Sequence, residues 1–388
     1  MHPVVRETVE RRTADLRFLG AGERAALAKI LSLALSTLFV LFLLDAAVFR
    51  SGFYVRYVEP NSAAGAFETV FKANLENRFR RRHRALVLGD SQIAEGFSAQ
   101  MADQAGAGSG WEFLNSGVGG VSMRNWYYMV RDLDPERSRF DVIVLPLRGY
   151  ADVDDGDIRA DRELDIRFMI AHLRLVDLPE LCASFLKRDT RMQVLRESLF
   201  EGLIYRRDLR EFLRNPAARM RHLEDCRAAC TDSMYEYPGH SEDLSGLRMD
   251  WATFTLQFPP NINPAVEAEM KVSCDFQHWS VRGVERAYRK KWLGRIVDRY
   301  RGTRTKILIL SLPYRPFPIP LSWPVDSGSF VVQAAKNPGV TIADEHLFED
   351  LQRPDYFFDV FHMNRKGRKL FSVRLAALIE QAGTRSGP

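Results

Sequence analysis

Arg84-Ala85-Leu86-Val87-Leu88-Gly89-Asp90-Ser91-Gln92 is the stretch on which the fold turns. Ala85 to Leu88 is too short an apolar run for a helix. Bounded by the basic cluster Arg78 to Arg84 and by Gly89, it reads as a buried strand of a parallel sheet. The chain then turns at Gly89-Asp90-Ser91 and enters a polar segment compatible with a helix. A serine just past the carboxyl end of a buried strand stands where open α/β sheets gather their ligand chemistry. A backbone N–H at a helix start also favours a developing anion. On this tripeptide alone, a serine that merely caps a helix is the simpler reading.

A second stretch changes that balance. Asp355-Tyr356-Phe357-Phe358-Asp359-Val360-Phe361-His362-Met363-Asn364 places an aspartate three residues before a histidine, ahead of the last helix. A lone histidine is usually a satisfied core residue. An Asp-x-x-His pair lets the carboxylate hold the imidazole in one tautomer while the ring faces a serine elsewhere, the logic of serine–histidine–acid catalysis. Ile93 stands where a Gly-x-Ser-x-Gly elbow needs its second glycine, which disfavours an α/β-hydrolase.

Other strands follow from the same reasoning. Trp111 to Gly120 reads as a strand followed by a glycine-bearing loop, and Phe140 to Leu147 as a third parallel strand. Lys306 to Ser311 and Val340 to Asp344 continue the sheet, between helices at about Val281 to Tyr300 and Gly367 to Gln381. Between the third strand and Lys306 lies an insertion, about 153–280. Asp165 to Leu186, Thr190 to Leu213 and Pro216 to Arg227 have helical periodicity there. Tyr235 to Cys274, with Trp251, Phe254 and Phe258, reads as an extended lid across the active face. Its aromatics either pack against the insertion or stack on sugar rings. His240 and His278 receive no chemical role.

At the amino end, Ile30 to Phe49 is apolar save for Asp45 and suits one spanning helix. Arg6, Arg11, Arg12, Arg17, Arg24 and Lys29 precede it, which favours a cytoplasmic amino terminus and an exported remainder. A secretory signal would have a shorter apolar core; cleavage near Ala46-Ala47 stays open. The expected units are a cytoplasmic tail (1–29), a transmembrane anchor (30–49), a juxtamembrane connector (50–83) and one α/β domain (84–382). The connector carries a helix from about Ala66 to Asn77, and its basic run reads as a solvated face near anionic headgroups. The net charge of +5 is mild and the basic residues are interleaved with acidic ones, which argues against nucleic acid as a partner. Cys182, Cys226, Cys230 and Cys274 could form two disulfides in an exported domain, and their spacing completes no zinc pattern, so no metal is expected.

Gly89-Asp90-Ser91 and Asp359-x-x-His362 resemble the first and last blocks of the SGNH (GDSL-type) hydrolase family. The resemblance implies a three-layer α/β/α domain with a parallel sheet. Ser91 would be the nucleophile, His362 the general base and acid, and Asp359 the residue that orients it. The N–H groups of Gly117 and Ser91 would hold the oxyanion, Asp90 would be structural, and no cofactor is implied. The third block should read Gly-x-Asn-Asp, but the chain has Gly149-Tyr150-Ala151-Asp152. An alanine side chain donates no hydrogen bond, and losing one oxyanion donor costs about two to three orders of magnitude in rate. Arg148 is the candidate substitute; the alternative is that it pairs with Asp152 and points away.

The single anchor and Phe358-Asp359-Val360-Phe361-His362-Met363-Asn364 also resemble the proteins that O-acetylate alginate and bacterial cellulose, and the D-alanyl transfer protein of teichoic acid synthesis. Those work beside a multi-span membrane acyltransferase that supplies the acyl group. The implied protein is an inner-membrane, single-pass O-acetyltransferase with a periplasmic domain acting on an exported polysaccharide. An anchored carbohydrate acetylesterase, or a catalytically weak polysaccharide-binding scaffold, are the alternatives.

Overall fold

Alternation of side chains along the strands builds the sheet. In β1 (His83–Gly89), Leu86 and Leu88 enter one core cluster while Ala85 and Val87 enter another. The same split recurs in β3 (Val142–Leu147), with Ile143 and Leu145 against Val142 and Val144. Strands that are apolar at every position need cover on both faces, which parallel sheets receive from their crossover helices. The computed structural model describes residues 20–153, 159–229, 237–274, 283–319 and 325–384. Besides β2 (Trp111–Gly117), its strands are a small antiparallel hairpin, β4 (Arg248–Asp250) and β5 (Thr255–Gln257), then β6 (Lys306–Ser311) and β7 (Val340–Ile342). The main sheet has five strands in the order β2-β1-β3-β6-β7, every neighbouring pair parallel.

Trp126 and Met129 of the helix Met123–Leu133 and Trp292 and Ile296 of the helix Val284–Arg299 fill the first cluster. Ala102 of the helix Ala99–Ala105, with Phe371, Leu375 and Ile379 of the closing helix Arg365–Thr384, fills the second. Because β2 lies on one side of β1 and β3 on the other, the strand order reverses there. A crevice at the carboxyl ends of β1 and β3 follows from that reversal, and Ser91 leaves β1 at its mouth.

The segment between β3 and β6 is largely helical; the helix expected at Pro216 to Arg227 runs Pro216–Ala229, but the two before it are broken up. Asp165–Met169 gives way to single turns at Ile170–His172 and Leu175–Asp177 before Leu178–Ala183 begins with Pro179 in its first turn. The His172 ring is drawn between Glu68 (2.7 Å) and Asp132 (2.9 Å). Burial pushes this imidazole down, yet the two carboxylates outweigh it and lift the pKa to about 9. The expected helix from Thr190 to Leu213 divides into Arg188–Leu199 and Gly202–Arg214. Its break is captured by Asp45, whose carboxylate accepts the N–H groups of Glu201 (2.9 Å) and Gly202 (2.8 Å). Tertiary contacts thus override local periodicity.

At the amino end one helix among the described residues, Gly22–Arg50, is long and apolar enough to cross a membrane. It contains the expected span Ile30 to Phe49; its last turn, Ala46–Arg50, is wound wider, and there Phe49 is buried against Tyr54 (5.2 Å between ring centroids) and Tyr205 (5.5 Å). The connector helix runs Ala63–Glu76. Of the basic run, Arg78, Arg80 and Arg82 are exposed. Arg81 instead donates to the Trp111 carbonyl (2.6 Å), and Arg84 lies over the Phe79 ring, at the end of β1 opposite Ser91. Cys182 and Cys274 carry free thiols. They pack in different core clusters, which disulfide geometry cannot span. Cys230 and His278 lie outside the described residues.

Arg124 and Asp165 tie the helical segment to the helix Met123–Leu133 at 2.9 Å, with neither side chain exposed to solvent. Asp165 also accepts from Ser122 Oγ (2.6 Å), and the Arg124 guanidinium lies over the Phe185 ring (3.9 Å). Arg124→Met keeps the bulk but strands a buried carboxylate. It should lower unfolding free energy by about 3–5 kcal/mol, read from a denaturant midpoint, because breaking a buried pair is far costlier than never having one. A loss below about 1 kcal/mol would show that the tie is incidental.

Candidate active site

The turn that presents Ser91 is built by close packing. A Cβ on Gly89 would stand 2.2 Å from the Ile93 Cβ, so only glycine allows the short helix Ser91–Gly96 to fold back on the strand end. Asp90 caps that helix by accepting the Gln92 N–H (3.0 Å), leaving the Ser91 hydroxyl at its first position. Asn115 holds the helix to β2 through the carbonyls of Ile93 (3.0 Å) and Phe97 (2.7 Å).

Opposite it, the loop after Phe357 is pinned by Asp359. One carboxylate oxygen accepts the N–H groups of Phe361 (2.8 Å) and His362 (2.7 Å). The other lies 2.7 Å from His362 Nδ1. His362 Nε2 lies 2.8 Å from Ser91 Oγ, closing a continuous chain from serine to imidazole to carboxylate. The three residues named from sequence therefore meet, and all are partly shielded from solvent.

Electrostatics suit a proton acceptor beside the hydroxyl. Burial pushes His362 down, but the hydrogen bond and charge of Asp359, aided by Glu95 and Asp90, leave its pKa above the ordinary histidine value. Burial acts upward on Asp359, yet the bond and charge of His362 and the loop N–H groups bring it below the usual carboxylate range. Glu95, one turn after Ser91, is pushed up by burial.

Gly117 does not stand as expected. Its N–H is already donated to Asn115 Oδ1 (2.7 Å), and its missing Cβ makes room for the Ala94 backbone, 2.3 Å from where that carbon would be. The glycine lets the helix approach β2. Gly119, two residues on, lies beside the hydroxyl: a Cβ there would be 3.9 Å from Ser91 Cβ. Among the described residues neither the Gly119 N–H nor the Ser91 N–H has a hydrogen-bond partner. That leaves the N–H groups of Ser91 and Gly119, rather than that of Gly117, unbonded at this strand end.

Arg148 faces the site. Its Nε donates to Gln92 Oε1 (2.9 Å), an Nη lies 3.3 Å from Asp90, and the guanidinium stands 5.6 Å from the Phe361 ring centre. The alternative partner Asp152 is engaged elsewhere, with Arg286 (3.3 Å) and Arg289 (3.8 Å). Gln92 is the residue that sequence reasoning passed over. Its amide also donates to the Phe361 carbonyl (3.1 Å), so one buried side chain joins the serine turn, the histidine loop and Arg148. Nothing in the pattern marks it beyond its place next to Ser91.

The described part of the expected lid braces the histidine loop. His240 stacks on Phe358 with centroids 3.8 Å apart, and Phe358 stacks on His362 at 5.9 Å. The His240 carbonyl accepts the Arg365 N–H (2.8 Å), and Pro354 accepts that of Leu244 (3.0 Å). Trp251 packs edge-on to Phe317 (5.6 Å), while Phe254 is exposed at the hairpin turn. Among the described residues no group of His, Cys, Asp and Glu is placed to hold a metal ion.

Comparison with family models, with characterised proteins and with solved structures returned no match to this chain.

A fluorophosphonate should label Ser91 at a rate that rises with pH as His362 loses its proton. The midpoint should lie above about 6.5, the free histidine value. Asp359→Asn should lower that midpoint and slow labelling, since it removes the charge that raises it and loosens the ring's tautomer. A midpoint unmoved by Asp359→Asn, checked by mass spectrometry of the labelled peptide, would uncouple the pair.

Proposed function

We propose that this chain is an acyl-serine enzyme of the SGNH type, a membrane-anchored O-acyltransferase that moves an acetyl group to an exported polysaccharide. The observation carrying the reading is the unbroken chain Ser91–His362–Asp359 at the reversal point of the sheet. Ser91 attacks the acyl carbonyl while His362 takes its proton. The carbonyl oxygen becomes negative between the backbone donors of Ser91 and Gly119, and collapse expels the donor's leaving group, which receives the proton from His362. An acceptor hydroxyl then attacks the acyl carbon as His362 removes its proton, and the acyl–serine bond breaks as His362 returns that proton to Ser91 Oγ. No side-chain amide donates from position 151, and Arg148, held beside the serine turn by Gln92 and Asp90, is the cationic substitute we assign.

The finer features of this reading come from the family resemblance and the apolar helix: a three-layer domain, residence in the bacterial inner membrane with the domain in the periplasm, and a multi-span acyltransferase as acyl donor. Ala151 favours a second reading, a catalytically weak module that binds polysaccharide within an export complex. A carbohydrate acetylesterase would use the same machinery with water as acceptor.

With a chromogenic acetyl ester, Ser91→Ala and His362→Ala should each cut turnover by about 10³-fold or more, and the double variant should be no worse than either alone. Arg148→Ala should cost about 10²-fold with little loss of stability, and Arg148→Lys should recover only part because the planar fork is gone. Adding an oligosaccharide acceptor should divert acetyl from water to sugar, read by mass spectrometry of the sugar. Turnover indifferent to Ser91→Ala would leave only the binding module. Turnover that needs Ser91 but never acetylates sugar would leave the esterase.

A further inference from the structure

The apolar helix does not end in a loose tether. Asp45, the charge within its apolar run, turns into the protein and caps the helix Gly202–Arg214 through the N–H groups of Glu201 and Gly202. Arg50 pairs with the buried Glu201 (3.0 Å) and donates to the carbonyls of Ser198 and Leu199 (3.3 Å to the latter). Gly202 leaves no room for a side chain, since a Cβ would lie 2.7 Å from the Phe49 ring and 2.9 Å from the Asp45 carboxylate. Phe49 stacks on Tyr205, and Tyr54 hydrogen-bonds Asp208 (2.6 Å). Helix and insertion are joined as one piece.

This joint sets the insertion's height relative to the apolar helix. Phe42 meets Phe200 edge to face, with ring centroids 6.2 Å apart. Phe42 lies about one turn, roughly 5 Å, back along the apolar helix from Asp45. Whatever surrounds Phe42 must therefore also surround Phe200. Leu199, Phe200 and Leu203 are all partly exposed at this turn, while Arg196, Arg206 and Arg207 are exposed. Arg206 and Arg207 follow Leu203 at i+3 and i+4, on one helix face, and Arg196 precedes Phe200 by the same spacing. An apolar tip rimmed by arginines matches the headgroup layer, where rings and methylene stems sink in and guanidinium groups meet lipid phosphates.

We infer that the turn Leu199–Gly202, with Leu203, enters the headgroup layer of the same bilayer that the apolar helix crosses, and that Arg196, Arg206 and Arg207 bind lipid phosphates there. The insertion is then a foot seated on the membrane and the helix a rigid pillar. The inference rests on the helix spanning a bilayer and is independent of the acyl-transfer reading.

The full-length chain, alone in phosphatidylcholine–phosphatidylglycerol vesicles that carry a photoactivatable phospholipid, tests it. After irradiation and digestion, lipid adducts should map to residues 199–207 as well as to the apolar helix. Arg206→Glu/Arg207→Glu, a change at exposed positions, should lower adduct yield at 199–207 several-fold and leave yield on the helix unchanged. Replacing phosphatidylglycerol by phosphatidylcholine should weaken the wild-type signal at 199–207 in the same direction. Adducts confined to the helix would overturn the inference and assign that apolar tip to a protein partner. An unchanged yield in the double variant would remove the arginines from it.

Discussion

The short helix that begins at Ser91 lies so close to the ends of β1 and β2 that neither strand can end in anything larger than glycine. Gly89 yields to the Ile93 side chain and Gly117 to the Ala94 backbone, each at a distance no Cβ could tolerate. This contact aims the serine. A buried strand fixes the direction, the two glycines let the helix fold back at once, and Asp90 caps it. A looser turn would leave the hydroxyl free to drift, and a drift of about 1 Å is enough to cost a nucleophile most of its advantage.

The remainder of the site is held by polar groups that each serve more than one neighbour. Asp359 divides its carboxylate between the backbone of its own loop and the imidazole, so the loop's shape and the ring's orientation depend on one residue. Gln92 accepts from Arg148 and donates to Phe361, joining the turn after β1, the end of β3 and the histidine loop, which lie far apart in sequence. Such networks stiffen a site when every member is satisfied. The lid stretch contributes from outside through His240, which stacks on Phe358, the ring that in turn stacks on His362.

Much of this was legible from residues alone because its physics is local. Ala85 to Leu88, Val142 to Leu147 and Lys306 to Ser311 announce themselves as strands buried on both faces, and Asp359-x-x-His362 places acid and base in one loop. What was not legible depends on contacts between distant segments. Gly117 was read as a donor, but its N–H is taken by Asn115, and the free N–H beside Ser91 belongs to Gly119. The helix expected through Phe200 is cut by a carboxylate from the apolar segment, and Phe49, at the end of the expected span, is buried in the domain core. Free thiols at Cys182 and Cys274 follow from which face of the sheet each helix covers, which cysteine spacing does not reveal.

Everything chemical proposed for this fold depends on the Ser91 hydroxyl, activated by His362, carrying the acyl group. Rapid acid quenching after mixing with an activated acetyl ester, followed by peptide mass spectrometry, tests it most directly. A single acetyl group should appear on the peptide containing Ser91, formed in a burst and absent in His362→Ala. Ester turnover with no acetyl on that peptide, or acetylation that persists without His362, would contradict it.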